Sequence, residues 1–211
     1  MKPQEIGLCF LVVPSDFYRR VFFDFSFFEL IKFDQGLTAL EIQMNTHLIY
    51  RKGFSSEKES LQQLGILSYS QFKSILSPAD WQTMDRFLHN DKMWTQLVNN
   101  SAIFVCEDNE QLIGMAYLVP SGNPTHIYPA DWSYIRMVGV HPGYRGKGIA
   151  KRLTQMCVDH ALQTNEKTVG LHTSEKMDDA RHIYENIGFA KYKEIDPIYG
   201  MKYWLYKLEL S

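Results

Sequence analysis

"VGVHPGYRGKGIAKRL", residues 138–153, decides how the second half of this chain folds. An apolar run ends in it, glycines stand at Gly139, Gly143, Gly146 and Gly148, and Arg145, Lys147 and Lys151 bring positive charge to the start of a helical stripe. Glycine admits left-handed backbone, which lets successive N–H groups face one concavity. A helix N-terminus adds partial positive charge there, so strand, glycine loop and helix together favour an anion. A Walker A loop needs serine or threonine after its lysine, but Gly148 follows Lys147. A dinucleotide fingerprint needs a small residue where Lys151 stands, which disfavours hydride transfer. What remains is a strand feeding Arg145-x-x-Gly148-x-Ala150, a cradle that would fit a pyrophosphate. The plainer reading is a flexible turn, with Gly143 at the strand end and Gly148 at the helix entry.

Working outward, "WSYIRMVGV" (132–140) reads as the strand before the loop, and Ile149, Leu153, Met156, Cys157 and His160 as the stripe of the helix after it. "TVGLHTS" (168–174) predicts another strand and "DDARHIYENIGF" (178–189) another helix. "AKYKEI" and "MKYWLYKLEL" predict two closing strands around a turn at Asp196-Pro197. Upstream, "AIFVCE" (102–107) and "QLIGMAYLV" (111–119) flank Asp108-Asn109-Glu110 as a hairpin, and "PSGNPTHIYPAD" (120–131) is a long loop. "SEKE" (56–59) and "SYSQ" (68–71) have capping-box form, and "SPAD" (77–80) offers a serine cap with proline in the first turn. Trp81, Met84, Phe87 and Leu88, then Trp94, Leu97 and Val98, recur at helical spacing. Strands alternating with helices predict a mixed α/β sheet flanked by helices. The terminal strand, Met201 to Leu210, alternates as an edge able to pair in a homodimer.

Composition bounds the rest. The 211 residues, 45% hydrophobic and 22% charged, describe one ordinary domain, and a formal net charge of -2 argues against a nucleic-acid surface. Cys9, Cys106 and Cys157 form no CxxC pair, as expected for reduced thiols in the cytoplasm, and no histidine spacing indicates a metal. No apolar run is long enough for stable membrane insertion. Residues 1–43, with "VFFDFSFFELIKF" at 21–33, show neither helical nor strand period. They read as an N-terminal extension outside the domain, a poorly ordered arm or an apolar anchor. The domain itself reads as 44–211.

The loop and "ARHIYENIGF" together resemble the GNAT acetyltransferase superfamily. Its acetyl-CoA loop has the form Gln/Arg-x-x-Gly-x-Gly/Ala after an apolar-x-Val strand end, and its later helix the form A-x-x-x-Y-E-x-x-G-F. The resemblance covers about residues 44–211 and implies a partly split mixed sheet with acetyl-CoA as co-substrate. It implies that backbone groups of Val138, Gly139 and Val140 meet the pantetheine, and that Arg145, Gly146, Lys147, Gly148, Ile149, Ala150 and Lys151 hold the pyrophosphate. Tyr184 takes the place of the tyrosine that faces the thioester sulfur. Many members carry an asparagine seven positions earlier, where this chain has Met177. A phenol is protonated at neutral pH, so Tyr184 suits a departing thiolate, and the Val138 N–H suits the oxyanion. Glu107, His126, Asp131 and His172 are candidates for the base, as is a water relay. The implied activity is acetyl transfer to a primary amine of a small molecule or peptide, in a ternary complex. Transfer of a longer acyl group and a non-catalytic acyl-CoA-binding module are the alternatives. The acceptor would be set by residues 61–81, 120–131 and 197–200, with Tyr128, Trp132 and Tyr199 as an aromatic wall.

Overall fold

The computed structural model describes residues 48–210. The readings placed on the leader 1–43, Cys9 included, lie outside them. The strands are β1 (Ile49–Lys52), β2 (Ala102–Asp108), β3 (Gln111–Val119), β4 (Ser133–Val140), β5 (Thr168–Ser174), β6 (Ala190–Ile198) and β7 (Met201–Glu209). The helices are α1 (Lys58–Tyr69), α2 (Pro78–Leu88), α3 (Asp91–Asn99), α4 (Ile149–Gln163) and α5 (Asp178–Ile187). The strands form one seven-stranded sheet in the order β1-β2-β3-β4-β5-β7-β6, antiparallel except for the parallel β4–β5 pair. This is the mixed α/β architecture that the alternation of elements predicts.

Both faces of the central strands are covered, which is why β2 and β3 read as continuous apolar runs. On one face Ile103, Val105, Met115 and Tyr117 join Leu61 and Leu64 of α1, Met84 and Leu88 of α2 and Trp94 of α3. On the other, Phe104, Cys106, Ile113, Ala116 and Leu118 meet Ile149, Leu153 and Cys157 of α4 and Tyr184 of α5. Among the described residues no helix is long and apolar enough to cross a membrane.

Local signals hold at α2, where the Ser77 hydroxyl accepts from Asp80 N at 3.2 Å and Pro78 opens the helix. Four expectations fail. Ser68 does not cap a new helix: α1 runs through it to Tyr69, followed by a 3-10 turn at Ser70–Ser74, and Ser68 is buried. At the start of α1 it is Glu57, not Glu59, that reaches back, accepting from Phe54 N at 2.7 Å. The closing turn is at Tyr199-Gly200, both with positive φ (52° and 68°), while Asp196-Pro197 continue β6 through an irregular register. Proline is tolerated there because β6 is an edge strand and its neighbour loses no ladder bond. For the same reason the homodimer edge proposed for Met201 to Leu210 is lost, since β7 is paired on both sides, by β5 and β6.

Gly65 sets how closely α1 approaches the core. A Cβ there would stand 2.5 Å from Cη2 of Trp94, whose Nε1–H donates to the Leu88 carbonyl at 2.7 Å and so resists moving. Gly65→Ala gains up to about 1 kcal/mol of helix propensity, against about 1–3 kcal/mol for overpacking. The clash is expected to win, lowering the urea midpoint at unchanged slope by the equivalent of about 1 kcal/mol.

Candidate functional site

The sheet is split at its centre. β4 and β5 pair only at Ser133↔Val169 and Tyr134↔Gly170, and beyond Tyr134 the strands part. Just past that point β4 bulges: Met137 and Val138 together oppose Ala116, and Met137 adopts φ +51°. Left-handed backbone at a non-glycine residue is strained and is characteristic of functional sites. The parted edge takes its partners from α1. Val140 N donates to Ser68 Oγ at 3.0 Å, and the Tyr69 hydroxyl faces the Val138 carbonyl at 3.5 Å. Val138, Gly139 and Val140 thus lie on the open side of the split, under the last turn of α1. Ser68 was invisible as a site residue, because its sequence signal is that of a cap.

Gly146 and Gly148 have φ of +75° and +77°, and nothing lies within 4 Å of where a Cβ would stand on either. Gly148 is the N-cap of α4 and supplies no side-chain acceptor, so the N–H groups of Ile149, Ala150 and Lys151 open the helix uncapped. Uncapped backbone donors at the N-terminus of a fifteen-residue helix, behind two left-handed glycines with open space beside them, fit an anionic group. Gly143 N donates to His141 Nδ1 at 3.1 Å and the Tyr144 hydroxyl to Asp108 Oδ2 at 2.9 Å, which pins the loop to the β2–β3 hairpin. Lys147 Nζ stands 4.9 Å from the centre of the Tyr144 ring. Arg145 turns to α1. Its guanidinium donates to Gln71 Oε1 and to the Ser68 carbonyl, both at 2.8 Å, and so ties the loop to the end of α1.

Tyr184 comes to the site from α5. Its residue is 8% exposed and its ring meets Phe189 edge-on at 6.2 Å. Burial, with Tyr69 and Cys157 nearby, raises the phenol above its ordinary range and keeps its proton on. Met177 precedes α5 without capping it, and its sulfur accepts from the Thr173 hydroxyl at 3.5 Å. Cys157 is fully buried and its thiol is pushed up, so with His160 it packs and offers no thiolate.

On the α1 to α3 face, the three stretches assigned to the acceptor each bring a tyrosine to one cluster: Tyr69, Tyr128 and Tyr199. Tyr128 stacks on Tyr134 at 4.0 Å and 6°, and its hydroxyl meets His172 Nδ1 at 2.6 Å. Tyr203 closes on His172 at 5.7 Å. Burial, then the charge of Arg136, then His126 lower the His172 imidazole to about 4, so it is neutral near pH 7. Glu107 is engaged elsewhere, accepting from Arg51 at 2.7 and 2.9 Å, while His126 and Asp131 are exposed. Trp132 meets Tyr192 in a T-shaped contact, ring centres 5.6 Å apart. Two shallow surface depressions, one beside Lys58 and Thr95 and one beside Asn123 and His160, include neither the glycine loop nor Tyr184.

Residues 67–189, more than half of the chain, match the model of the acetyltransferase (GNAT) family. The chain belongs to that family. It is 33% identical over 92 residues to N-alpha-acetyltransferase 30 of Schizosaccharomyces pombe, a match covering 44% of this chain and 59% of that protein. It is 28% identical over 110 residues to mycothiol acetyltransferase of Gordonia bronchialis, covering 44% of this chain and 35% of that one. The chain thus spans less than two thirds of either relative. The PaiA N-acetyltransferase of Thermoplasma acidophilum, solved in complex with coenzyme A, shares the fold with a TM-score of 0.63 at 14% identity. That likeness covers 77% of this chain and 99% of the other.

The His172 environment makes stability depend on pH. Between its folded value of about 4 and its ordinary 6.5, the unfolded chain is the better proton acceptor. Stability therefore falls as pH drops through that window, and the fall stops once the native imidazole also protonates. Urea unfolding at pH 7 and pH 4.5 should show His172→Gln losing less stability on acidification than the parent, by up to about 3 kcal/mol.

Proposed function

We propose that the protein transfers an acetyl group from acetyl-CoA to a primary amine by direct attack in a ternary complex. The observation that carries this reading is the uncapped α4 N-terminus with its two left-handed glycines, opening beside the bulged, strand-free edge of β4, with Tyr184 arriving from α5. N–H groups from Gly146 to Lys151 would hold the pyrophosphate, with Lys147 and Lys151 adding charge. Val138, Gly139 and Val140 would meet the pantetheine as the α1 side chains give up their bonds. Arg145 acts here by holding the loop against α1. Family membership and the coenzyme A bound by the Thermoplasma protein support the same assignment.

Bound acetyl-CoA supplies the acetyl carbonyl and a thiolate leaving group. The Val138 N–H, at the bulge, donates to the carbonyl oxygen as charge develops on it. The Tyr184 hydroxyl gives its proton to the departing sulfur, and the phenolate, whose proton affinity burial raises, retakes a proton from solvent before the next turnover. With its own proton on Nδ1, donated to Tyr128 Oη, His172 keeps the Nε2 lone pair for a proton passed from the amine by water. An imidazole held near 4 takes that proton briefly and releases it to solvent. Tyr69, Tyr128 and Tyr199 wall the acceptor. Their cleft admits a small amine or the end of a peptide, and the relative named for N-alpha-acetylation supports the peptide end.

Two measurements test the reading. In Gly148→Val a β-branched residue would have to hold φ +77° and crowd the cradle, so calorimetry should show acetyl-CoA affinity reduced at least about tenfold. Unchanged affinity in the folded variant would place the cradle elsewhere. Tyr184→Phe should retain acetyl-CoA affinity while kcat falls about 10- to 100-fold, the low end for a general acid because a thiolate already leaves readily. Full turnover would remove Tyr184 from the chemistry. Coenzyme binding without turnover of any amine in the parent protein would instead favour the binding module.

A further inference from the structure

Arg136 lies on β4 opposite Tyr117, immediately before the bulge. It stands on the α1 to α3 face, where Phe87 of α2 lies 5.9 Å below its guanidinium carbon. It is half-buried, yet none of the ion pairs among the described residues includes it. Two other arginines are engaged: Arg51 by Glu57 and Glu107, Arg145 by Gln71 and the Ser68 carbonyl. Asp80, the carboxylate beside Gly200 at the acceptor turn, accepts from the Ser77 hydroxyl at 2.6 Å at the start of α2.

A guanidinium withdrawn from water is ordinarily paired, because stacking on an aromatic face leaves its five in-plane N–H donors unmet. The groups around Arg136 do not pair it. They are the phenols of Tyr69, Tyr128, Tyr134 and Tyr199 and the neutral imidazole of His172, all of which feel its charge. None of these groups in its uncharged form offers a compensating negative charge, and the partial burial of Arg136 strengthens its pairing with a carboxylate relative to bulk water. The position is informative too. Arg136 precedes Val138 by two residues, about 7 Å along an extended strand and less across a bulge. The two residues are neighbours on the strand, and an anion held by Arg136 would lie within the span of a small acceptor whose amine is aimed at Val138.

We propose that Arg136 is the specificity-determining residue of the acceptor cleft. It binds, as a bidentate pair, a carboxylate that the acceptor carries within about two to four bonds of its reactive amine. Such a carboxylate is found on a free amino acid or on a peptide whose first residue is acidic. The inference rests on the reading of this cleft as the acceptor site.

Matched acids and amides separate the sources. One arm compares β-alanine with its amide, the other a short peptide beginning with glutamate with the same peptide beginning with glutamine. The full chain should favour the acid by at least about tenfold in kcat/KM in one arm, mainly through KM. Arg136→Gln should erase that preference while leaving acetyl-CoA affinity unchanged. Arg136→Lys should restore part of it, since a lysine keeps the charge but loses the fork. Equal rates for acid and amide in the parent, or a preference that survives in Arg136→Gln, would overturn the proposal. A readout free of turnover keeps it apart from the acetyl-transfer reading. The coenzyme A-loaded protein should melt higher with one of the acids than with its amide, and Arg136→Gln should show no difference. That result with no acetylation would sink the catalytic reading and leave the carboxylate site standing. No differential shift in the parent would overturn the site itself.

Discussion

Everything at the candidate site depends on β4 parting from β5 after a single short stretch of parallel pairing. A strand inside a seven-stranded sheet ordinarily has its N–H and C=O groups taken on both sides. Here the parted half of β4 keeps β3 on one side and loses its neighbour on the other, so its backbone groups need partners that are not a strand. The bulge at Met137 and Val138 bends the strand at that point. The start of α4 packs on one face of the sheet beside it, and Tyr69, Tyr128 and Tyr199 on the other.

The last turn of α1 answers the backbone demand. Ser68 accepts from Val140 N, Tyr69 faces the Val138 carbonyl, and Arg145 holds the turn to the glycine loop from the other side. These are weak, exchangeable polar contacts rather than a packed seam. A ligand with its own amides can replace them at little net cost, since one hydrogen bond is traded for another. The rigid part of α1 lies a turn earlier, where Leu61, Leu64 and Gly65 press on Trp94 and the sheet.

Much of this was legible along the chain because it rests on short-range chemistry. The hairpin around Asp108, the Ser77 cap, the stripe of α4 and the two glycines that take positive φ all follow from period, capping and steric permission within a few residues. The motif resemblance marked Tyr184 and the loop before any fold was known. The errors also have local causes. Ser68 carries a capping signature that a continuing helix overrode, and Asp196-Pro197 looks like a turn but lies in an edge strand where a missing N–H does no harm. Met201 to Leu210 alternates like an edge and yet is enclosed by β5 and β6, because strand order is not written in any one strand.

The sequence by itself determined the class of fold, the left-handed glycines before α4 and the helix that carries Tyr184, since each depends on residue types at fixed short spacings. Tertiary structure alone decided which charges are free and which are engaged. Arg145 and Arg136 are the same residue type, nine positions apart. The first is tied to the Ser68 carbonyl and Gln71, while the second lies over Phe87 among uncharged phenols. Glu107 and His172 read alike along the chain, whereas in the fold Arg51 pairs with the one and burial beside Arg136 keeps the other neutral. A side chain's local sequence limits its backbone conformation, but its charge state and partners come from groups tens of residues away. Only the folded chain brings those groups within reach.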